Sequence, residues 1–376
     1  MAGIYIHIPF CKQKCTYCDF HFSTTFEVYR KEMIATICQE IVLRANELKG
    51  ESLKSIYFGG GTPSLLTEQE LKDILTPIKR LFDVEEGAEI TLEANPDDIN
   101  QQQLKIWKDA GINRLSIGIQ SFRAEDLNWM NRAHSVEEAE NAVRLAQEAG
   151  FQNITVDLIY GLPNLSLEEW QGHIQRVIDM GVQHLSAYCL TVEEKTVLNK
   201  LVKEKKIIPA NEDQQSDQFE MLVSITEVAG FEQYEISNFA KNQHYAVHNT
   251  NYWTGQMYLG VGPSAHSFDG ESRRWNVSNN RKYMESMGKD PSWFSTEKLS
   301  VNERWNELLL TGLRTNFGVS IDQLKGIHQI TPAFEANIAE FVAYGWMEKS
   351  PTLLRLTKEG KLKADYIASE LFLIGE

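Results

Sequence analysis

Along the first half of the chain, short runs rich in β-branched and aromatic residues alternate with stretches whose apolar positions recur every three or four residues. GIYIHIP at 3–9, SIYFGG at 55–60, EITLEA at 89–94, RLSIGIQ at 114–120, NITVDLIYG at 153–161 and HLSAYCLT at 184–191 read as strands. Helical patterns separate them, at 26–48, at 67–82 and at 135–150, the last ending in Gly150 as its C-cap. Six strand-then-helix units predict an α/β fold with a parallel sheet and right-handed crossovers, either open or curled into a partial (β/α)6 TIM-like barrel. In barrels of this kind, sites gather where the strands end. GGGTP at 59–63, EANP at 93–96, QSF at 120–122 and YGLP at 160–163 fall at those ends.

After about residue 210 the pattern changes to a helix at 211–229 and then an aromatic, glycine-rich region at 238–268 that is no linker. From about residue 300, three short helices, a β-hairpin at 346–357 and a closing helix at 359–372 predict a C-terminal α+β, winged-helix-like module. The expected pieces are a barrel at 1–205, an extension packed on it at 206–295 and the module at 296–376.

Composition narrows the partners. A net charge of -15 opposes non-specific binding to nucleic acid and to anionic lipid. The winged-helix-like tail does not reverse this: the helix at its candidate recognition position, PAFEANIAEFVAYG, carries two glutamates and neither lysine nor arginine. No nucleic acid partner is expected. No apolar run approaches the roughly 20 residues that span a bilayer, and the opening MAGIYIHIPFCKQKC lacks a basic segment followed by a cleavable apolar one, so the expected compartment is the cytoplasm.

Three of the five cysteines, Cys11, Cys15 and Cys18, crowd into eight residues after the first strand. In a reduced compartment such clustering points to metal rather than to disulfides. Thiolates at CxxxCxxC spacing can converge on one 4Fe-4S cluster and leave one iron open. Zinc is the rival, and His7 or His21 would have to complete its four ligands. Cys38 and Cys189 read as inert core thiols. Tyr17 offers a flat ring beside the cluster, and Gly59, Gly60 and Gly61 allow close backbone approach to a ligand, although by themselves they are equally a plain turn. Polar groups at later strand ends, Glu93, Gln120, Arg132 and Asp157, are of the types that hold ammonium, carboxylate and ribose hydroxyls, although each alone is more often an ordinary strand-end residue.

Together the CxxxCxxC loop, GGGTP, GIQSF and DLIYGLP resemble the radical SAM superfamily. Within it, the chain resembles over its whole length the group of oxygen-independent coproporphyrinogen III oxidase and the HemW haem chaperones. The resemblance implies that the three cysteines bind three irons and that the amino and carboxylate groups of S-adenosylmethionine (SAM) chelate the fourth. It places Tyr5, Tyr17, Gly60, Gly61, Thr62, Glu93, Gln120, Arg132 and Asp157 on the SAM-binding pattern, with Thr191 as an extra contact.

Two departures favour the chaperone branch. Phe20 stands where the oxidase pattern has a fourth cysteine, and the chain reaches Tyr5 without the oxidase's preceding segment. His248, Asn249, Tyr252 and Trp253 also match an HNxxYW motif associated with that branch and proposed there for haem. Imidazole ligates haem iron and the aromatics can cover a porphyrin face, with His244 and His266 as reserves. Without the resemblance, a histidine beside aromatics is more often a hydrogen-bonded packing residue than a ligand.

The resemblance therefore implies haem as cargo and haem-accepting respiratory proteins as partners, membrane-associated acceptors included. An enzyme that cleaves SAM and decarboxylates porphyrinogen propionates is the alternative. Whether the chain is an enzyme, and whether it forms a homodimer bridging two haem sites, is open at this level. Changing Cys15 to Ala is expected to abolish the brown chromophore of anaerobically reconstituted protein; a full cubane retained in that variant would contradict the ligand assignment.

Overall fold

The computed structural model describes residues 2–48 and 50–375. Six parallel strands with their crossover helices form the first part of the chain: β1 (Ala2–Ile8), α1 (Arg30–Leu43), β2 (Leu53–Gly60), α2 (Glu68–Leu81), β3 (Val84–Ala94), α3 (Gln101–Ala110), β4 (Arg114–Gln120), α4 (Ala124–Trp129), α5 (Val136–Glu148), β5 (Asn153–Tyr160), α6 (Leu167–Asp179) and β6 (His184–Cys189). Helix starts are marked by capping boxes in which Thr67 pairs with Glu70, Ser135 with Glu138 and Ser166 with Glu169. The first helix is shorter than its periodicity predicts. It stops at Arg44, whose guanidinium turns inward to the carbonyl of Gly260 and the carboxylate of Glu40, both at 2.7 Å.

The strands alternate between two environments. Ile4, Ile6, Ile56, Phe58, Leu92, Leu115, Ile117, Val156, Leu158 and Leu185 belong to the main core, which the helices cover. The opposite face carries Tyr5, Tyr57, Glu93, Ser116, Asp157 and Ser186 and looks into a cavity. A polar inner face of this kind lines a space rather than fills one.

The middle of the chain extends the sheet at both edges: α7 (Val197–Lys203), α8 (Glu212–Val228), β7 (Glu232–Glu235), β8 (Asn238–Ala240), α9 (Val247–Trp253), β9 (Met257–Val261), β10 (His266–Phe268), β11 (Ser272–Asn276), α10 (Asn280–Ser286) and β12 (Phe294–Lys298). The strand order is β12-β11-β10-β9-β1-β2-β3-β4-β5-β6-β8-β7. β8 pairs antiparallel with β6, and β9 pairs parallel with β1. The segment between them, α9, therefore runs from one edge of the six-stranded unit to the other and spans its opening. Periodicity gave no sign of this, because the seven-residue helix and three-residue strands of this region are too short to show a repeat.

The remaining elements are α11 (Val301–Gly312), β13 (Val319–Ser320), α12 (Ile321–Ile327), α13 (Pro332–Ala343), β14 (Met347–Lys349), β15 (Leu353–Leu356), α14 (Lys358–Lys361) and α15 (Ala364–Glu370). They surround a second apolar core that includes Trp305, Leu309, Phe334, Ile338, Leu354 and Ile367. The closing helix expected from sequence is broken in two at Leu362 and Lys363. Gly360 lies so close to the Trp346 carbonyl that a Cβ there would come within 1.9 Å of its oxygen, which pins the first turn before the second can align with it.

A buried polar hub ties the edge extension to the barrel. The Glu40 carboxylate accepts from Arg44 at 2.7 Å, from Asn276 and the Gly262 amide at 2.8 Å, and from the Tyr283 hydroxyl. Removing Glu40 takes from Arg44 one of its two carboxylate partners, the other being Glu47 at 2.7 Å, and leaves the buried Gly262 amide and Tyr283 hydroxyl without their acceptor. Glu40→Ala is expected to lower unfolding stability by about 3–5 kcal/mol in urea titrations followed by tryptophan fluorescence, with Glu40→Ala/Arg44→Met recovering much of the loss; a change within about 0.5 kcal/mol would refute the role of the hub.

Candidate SAM and cluster site

One cavity of about 690 Å³ opens at the C-terminal ends of the strands. Its walls carry Cys11, Cys15, Cys18, Tyr5, Tyr17, Gly60, Gly61, Thr62, Glu93, Gln120, Arg132, Asp157 and Thr191. Of the HNxxYW residues, His248, Asn249 and Tyr252 line it. Trp253 does not: its ring lies under the Arg314 guanidinium, 5.2 Å away, beside the C-terminal module. His244 and His266 also lie off the cavity wall, His266 being stacked on Trp275.

The cysteine loop is clamped from two sides. Lys12 forms ion pairs with Asp97, at 2.9 Å, and with Asp98. On the other side Asn131, in the left-handed region at φ +57°, accepts from Gln13 Nε2 and donates to the Lys14 carbonyl, each at 2.8 Å. Arg132 follows directly. It donates to Asn95 Oδ1 at 2.8 Å and the Gly118 carbonyl at 2.7 Å, and approaches Cys15 Sγ at 3.5 Å. Thr62 donates to Cys11 Sγ at 3.3 Å. Sequence reasoning singled out neither Lys12 nor Asn131, because their partners lie about 85 and 117 residues away in the chain.

Burial pushes the Cys11 thiol up to about 11 and the Cys18 thiol up to about 12, so the thiolates need a cation to persist near neutrality. Among the described residues, no three histidine, cysteine, aspartate or glutamate side chains are grouped as a single metal ion requires, whereas a cubane spreads three thiolates over three irons. Neither histidine that a zinc site would need lines the cavity holding the three thiols. His7 Nε2 lies 2.7 Å from the His21 carbonyl, and His21 Nε2 lies 2.7 Å from Asn280 Oδ1. Cys38 sits on α1 with its thiol toward the Asp73 carbonyl, and Cys189, half-buried, packs against the main core while also reaching the cavity wall.

Opposite the thiols are the groups a zwitterionic, ribose-bearing ligand needs. Glu93 accepts from the Tyr57 hydroxyl at 2.8 Å, and Asp157 accepts from Ser116 at 3.1 Å. Burial raises Glu93 to about 7 and Asp157 to about 6. The Nε of Arg132 is buried with no acceptor among the described residues, a donor left for a ligand. A Cβ on Gly61 would come within 2.6 Å of the Phe10 carbonyl oxygen, and one on Gly59 within 3.1 Å of Glu93 Oε1. Only glycine lets these strands and loops meet. Thiols, orphan guanidinium N–H and paired buried carboxylates together fit a cluster with SAM on its open iron.

Residues 5–177 match the radical SAM superfamily, and residues 299–362 match the HemN C-terminal domain. The chain is 34% identical over 366 residues to the protein named heme chaperone HemW of Bacillus subtilis, spanning 96% of this chain and 97% of that one. The chain belongs to the HemW family. The Mycobacterium tuberculosis HemW (strain H37Rv) is 32% identical over 374 residues, 98% of this chain and 94% of its own. The Escherichia coli HemW is 37% identical over 265 residues, 70% of this chain and 69% of its own. Among solved structures, the E. coli coproporphyrinogen III oxidase HemN, described as a radical SAM enzyme, superposes with a TM-score of 0.84 over 99% of this chain and 90% of that one. At 22% identity that likeness shows a shared fold alone.

The carboxylates of this HemW-family site set a pH signature. With its folded-state value near 7 and an unfolded value near 4.5, Glu93 binds more protons when folded, so it lowers ligand-free stability as pH rises through that window. Glu93→Gln is expected to stabilise the ligand-free protein at pH 8 by on the order of 2 kcal/mol, with the advantage vanishing below about pH 4.5. Thermal melts at both pH values check this; an equal shift at both would contradict it.

Proposed function

We propose that the chain is a haem chaperone: it binds haem, carries a SAM-ligated 4Fe-4S cluster on Cys11, Cys15 and Cys18, and passes haem to haem-accepting proteins. The observation that carries this reading is the near-full-length likeness to proteins named heme chaperone HemW, at 32–34% identity over at least 94% of each partner's length. Phe20 supports it. This side chain occupies the oxidase's fourth-cysteine position on the cavity rim and is 67% exposed, so no thiol is available there.

When bound, the cluster supplies an electron and an open iron, and the residues around it bind and orient. Cys11, Cys15 and Cys18 hold the irons. Glu93 takes the ammonium of SAM, and the free Nε of Arg132 takes its carboxylate, while the other arms of Arg132 hold the cysteine loop and the Gly118 carbonyl in place. Asp157 and Gln120 serve the ribose hydroxyls. Gln120 reaches its position through a left-handed backbone at φ +71°, at the irregularity that ends β4. Tyr17 and the Gly60–Thr62 loop enclose the remainder, with Thr191 at the far wall.

Among the described residues no helix is long and apolar enough to cross a membrane. In this reading the chain is a cytoplasmic carrier that meets respiratory acceptors, membrane-associated ones included, transiently. In the same reading the chain divides into barrel, extension and winged-helix-like module, the last of which packs on the barrel or docks an acceptor.

The separating experiment is an anaerobic haem titration of reconstituted protein, followed by visible absorbance, with coproporphyrinogen turnover assayed in the same preparation with SAM and a reductant. Stoichiometric haem uptake without decarboxylation is expected. Decarboxylation without specific haem uptake would make the chain an oxidase.

A further inference from the structure

The HNxxYW helix is tied to the SAM side of the cavity. His248 is buried, with Nδ1 2.8 Å from Ser55 Oγ and Nε2 2.9 Å from the Tyr252 hydroxyl. An imidazole ligates iron only through a nitrogen with a free lone pair. Ligation from this position would first break one of these bonds and draw the ring out of the barrel. What the ring does touch is a pair of tyrosines, with which it forms an aromatic trio. It stacks on Tyr57 with centroids 5.1 Å apart and planes 25° apart, and on Tyr5 at 6.2 Å; Tyr5 and Tyr57 stack at 6.0 Å. Tyr57 directs its hydroxyl to Glu93, at 2.8 Å.

Two further contacts hold the trio in place. Gly3 keeps β1 against His248, since a Cβ there would lie 3.0 Å from Nδ1. From β3, the Glu89 carboxylate accepts the amides of Val247 and His248 at 2.9 and 3.0 Å, fixing where α9 begins. The helix that spans the barrel opening thus bears on the carboxylate that faces SAM through one ring stack and one hydrogen bond.

We propose that His248 is a positioning residue for the SAM site: its stack on Tyr57 sets the hydroxyl that orients Glu93, so that α9 governs SAM affinity. This rests on the reading of Glu93 as a SAM ligand, and a wild-type control separates the two. If reconstituted wild-type protein takes up no cluster, or SAM leaves the reduced cluster's electron paramagnetic resonance spectrum unchanged, it is the site reading that fails.

Given that control, SAM is titrated against the reduced cluster in His248→Ala, His248→Phe, Tyr57→Phe and the His248→Ala/Tyr57→Phe double variant, with haem uptake followed alongside. His248→Ala and Tyr57→Phe should each weaken SAM by about tenfold, the worth of one hydrogen bond to a charged group. Their combination should fall well short of the roughly hundredfold product, because both act through one contact. His248→Phe keeps a flat ring on Tyr57 and should retain most of the affinity, and haem stoichiometry should not change. Wild-type SAM affinity in His248→Ala, or loss of the haem spectrum with SAM binding intact, would overturn the proposal. Should His248→Ala fail to fold, unchanged SAM affinity in Tyr57→Phe, or a tenfold loss in His248→Phe, would do the same.

Discussion

The whole arrangement depends on an alternation along six parallel strands: apolar residues face the covering helices and polar residues face inward. Parallel strands are usually buried on both faces and read as continuous apolar runs. Here every second residue of β1 to β6 is withheld from the core, giving Tyr5, Tyr57, Glu93, Ser116, Asp157 and Ser186 a common interior. Such an interior cannot close on itself without leaving polar groups unsatisfied. It therefore stays open as a cavity, and the buried carboxylates, thiols and orphan guanidinium N–H on its wall are stable only in one another's company or with a ligand.

That open interior also explains why the cysteine loop is so heavily tied down. Six β/α units leave a side of the barrel unclosed, and the loop after β1 leaves the sheet between the ends of β2 and β9 and projects over the cavity. Lys12 reaches Asp97 and Asp98 on one flank, and Asn131 brackets residues 13 to 15 on the other. Across the open side, the chain sends β8 to one edge and β9 to the other, and α9 between them completes the wall with His248 and Tyr252. The same helix leans on the C-terminal module through Trp253 and Arg314, which puts the second core in mechanical contact with the SAM-facing wall.

Much of this was legible in the sequence, for definable reasons. CxxxCxxC and GGGTP are readable because few structures other than a cluster loop and a close ligand approach need those residues at those spacings. The strand-end polar residues Glu93, Gln120, Arg132 and Asp157 were readable only in combination with them, since each alone is an ordinary surface group. Tyr57 was passed over because an aromatic inside a strand reads as core. The inward alternation was present in the letters of ITLEA, LSIGIQ and ITVDLIY, but a polar residue in a short strand carries no mark of which face it takes. Helix α9 and its Glu89 anchor were out of reach, because the two partners lie about 158 residues apart and the seven-residue helix is too short to show a period. The HNxxYW motif was found by its letters, but its letters do not tell that Trp253 leaves the cavity while His248 turns into it.

The claim on which the rest stands is that three cysteines on the β1 loop hold a 4Fe-4S cluster whose fourth iron is chelated by SAM inside this cavity. Electron–nuclear double resonance on the reduced, reconstituted protein, with SAM carrying nitrogen-15 at its amino group, tests that directly. The account predicts hyperfine coupling from a nitrogen bonded to one iron. A protein holding four irons that shows no such coupling at saturating SAM would contradict it.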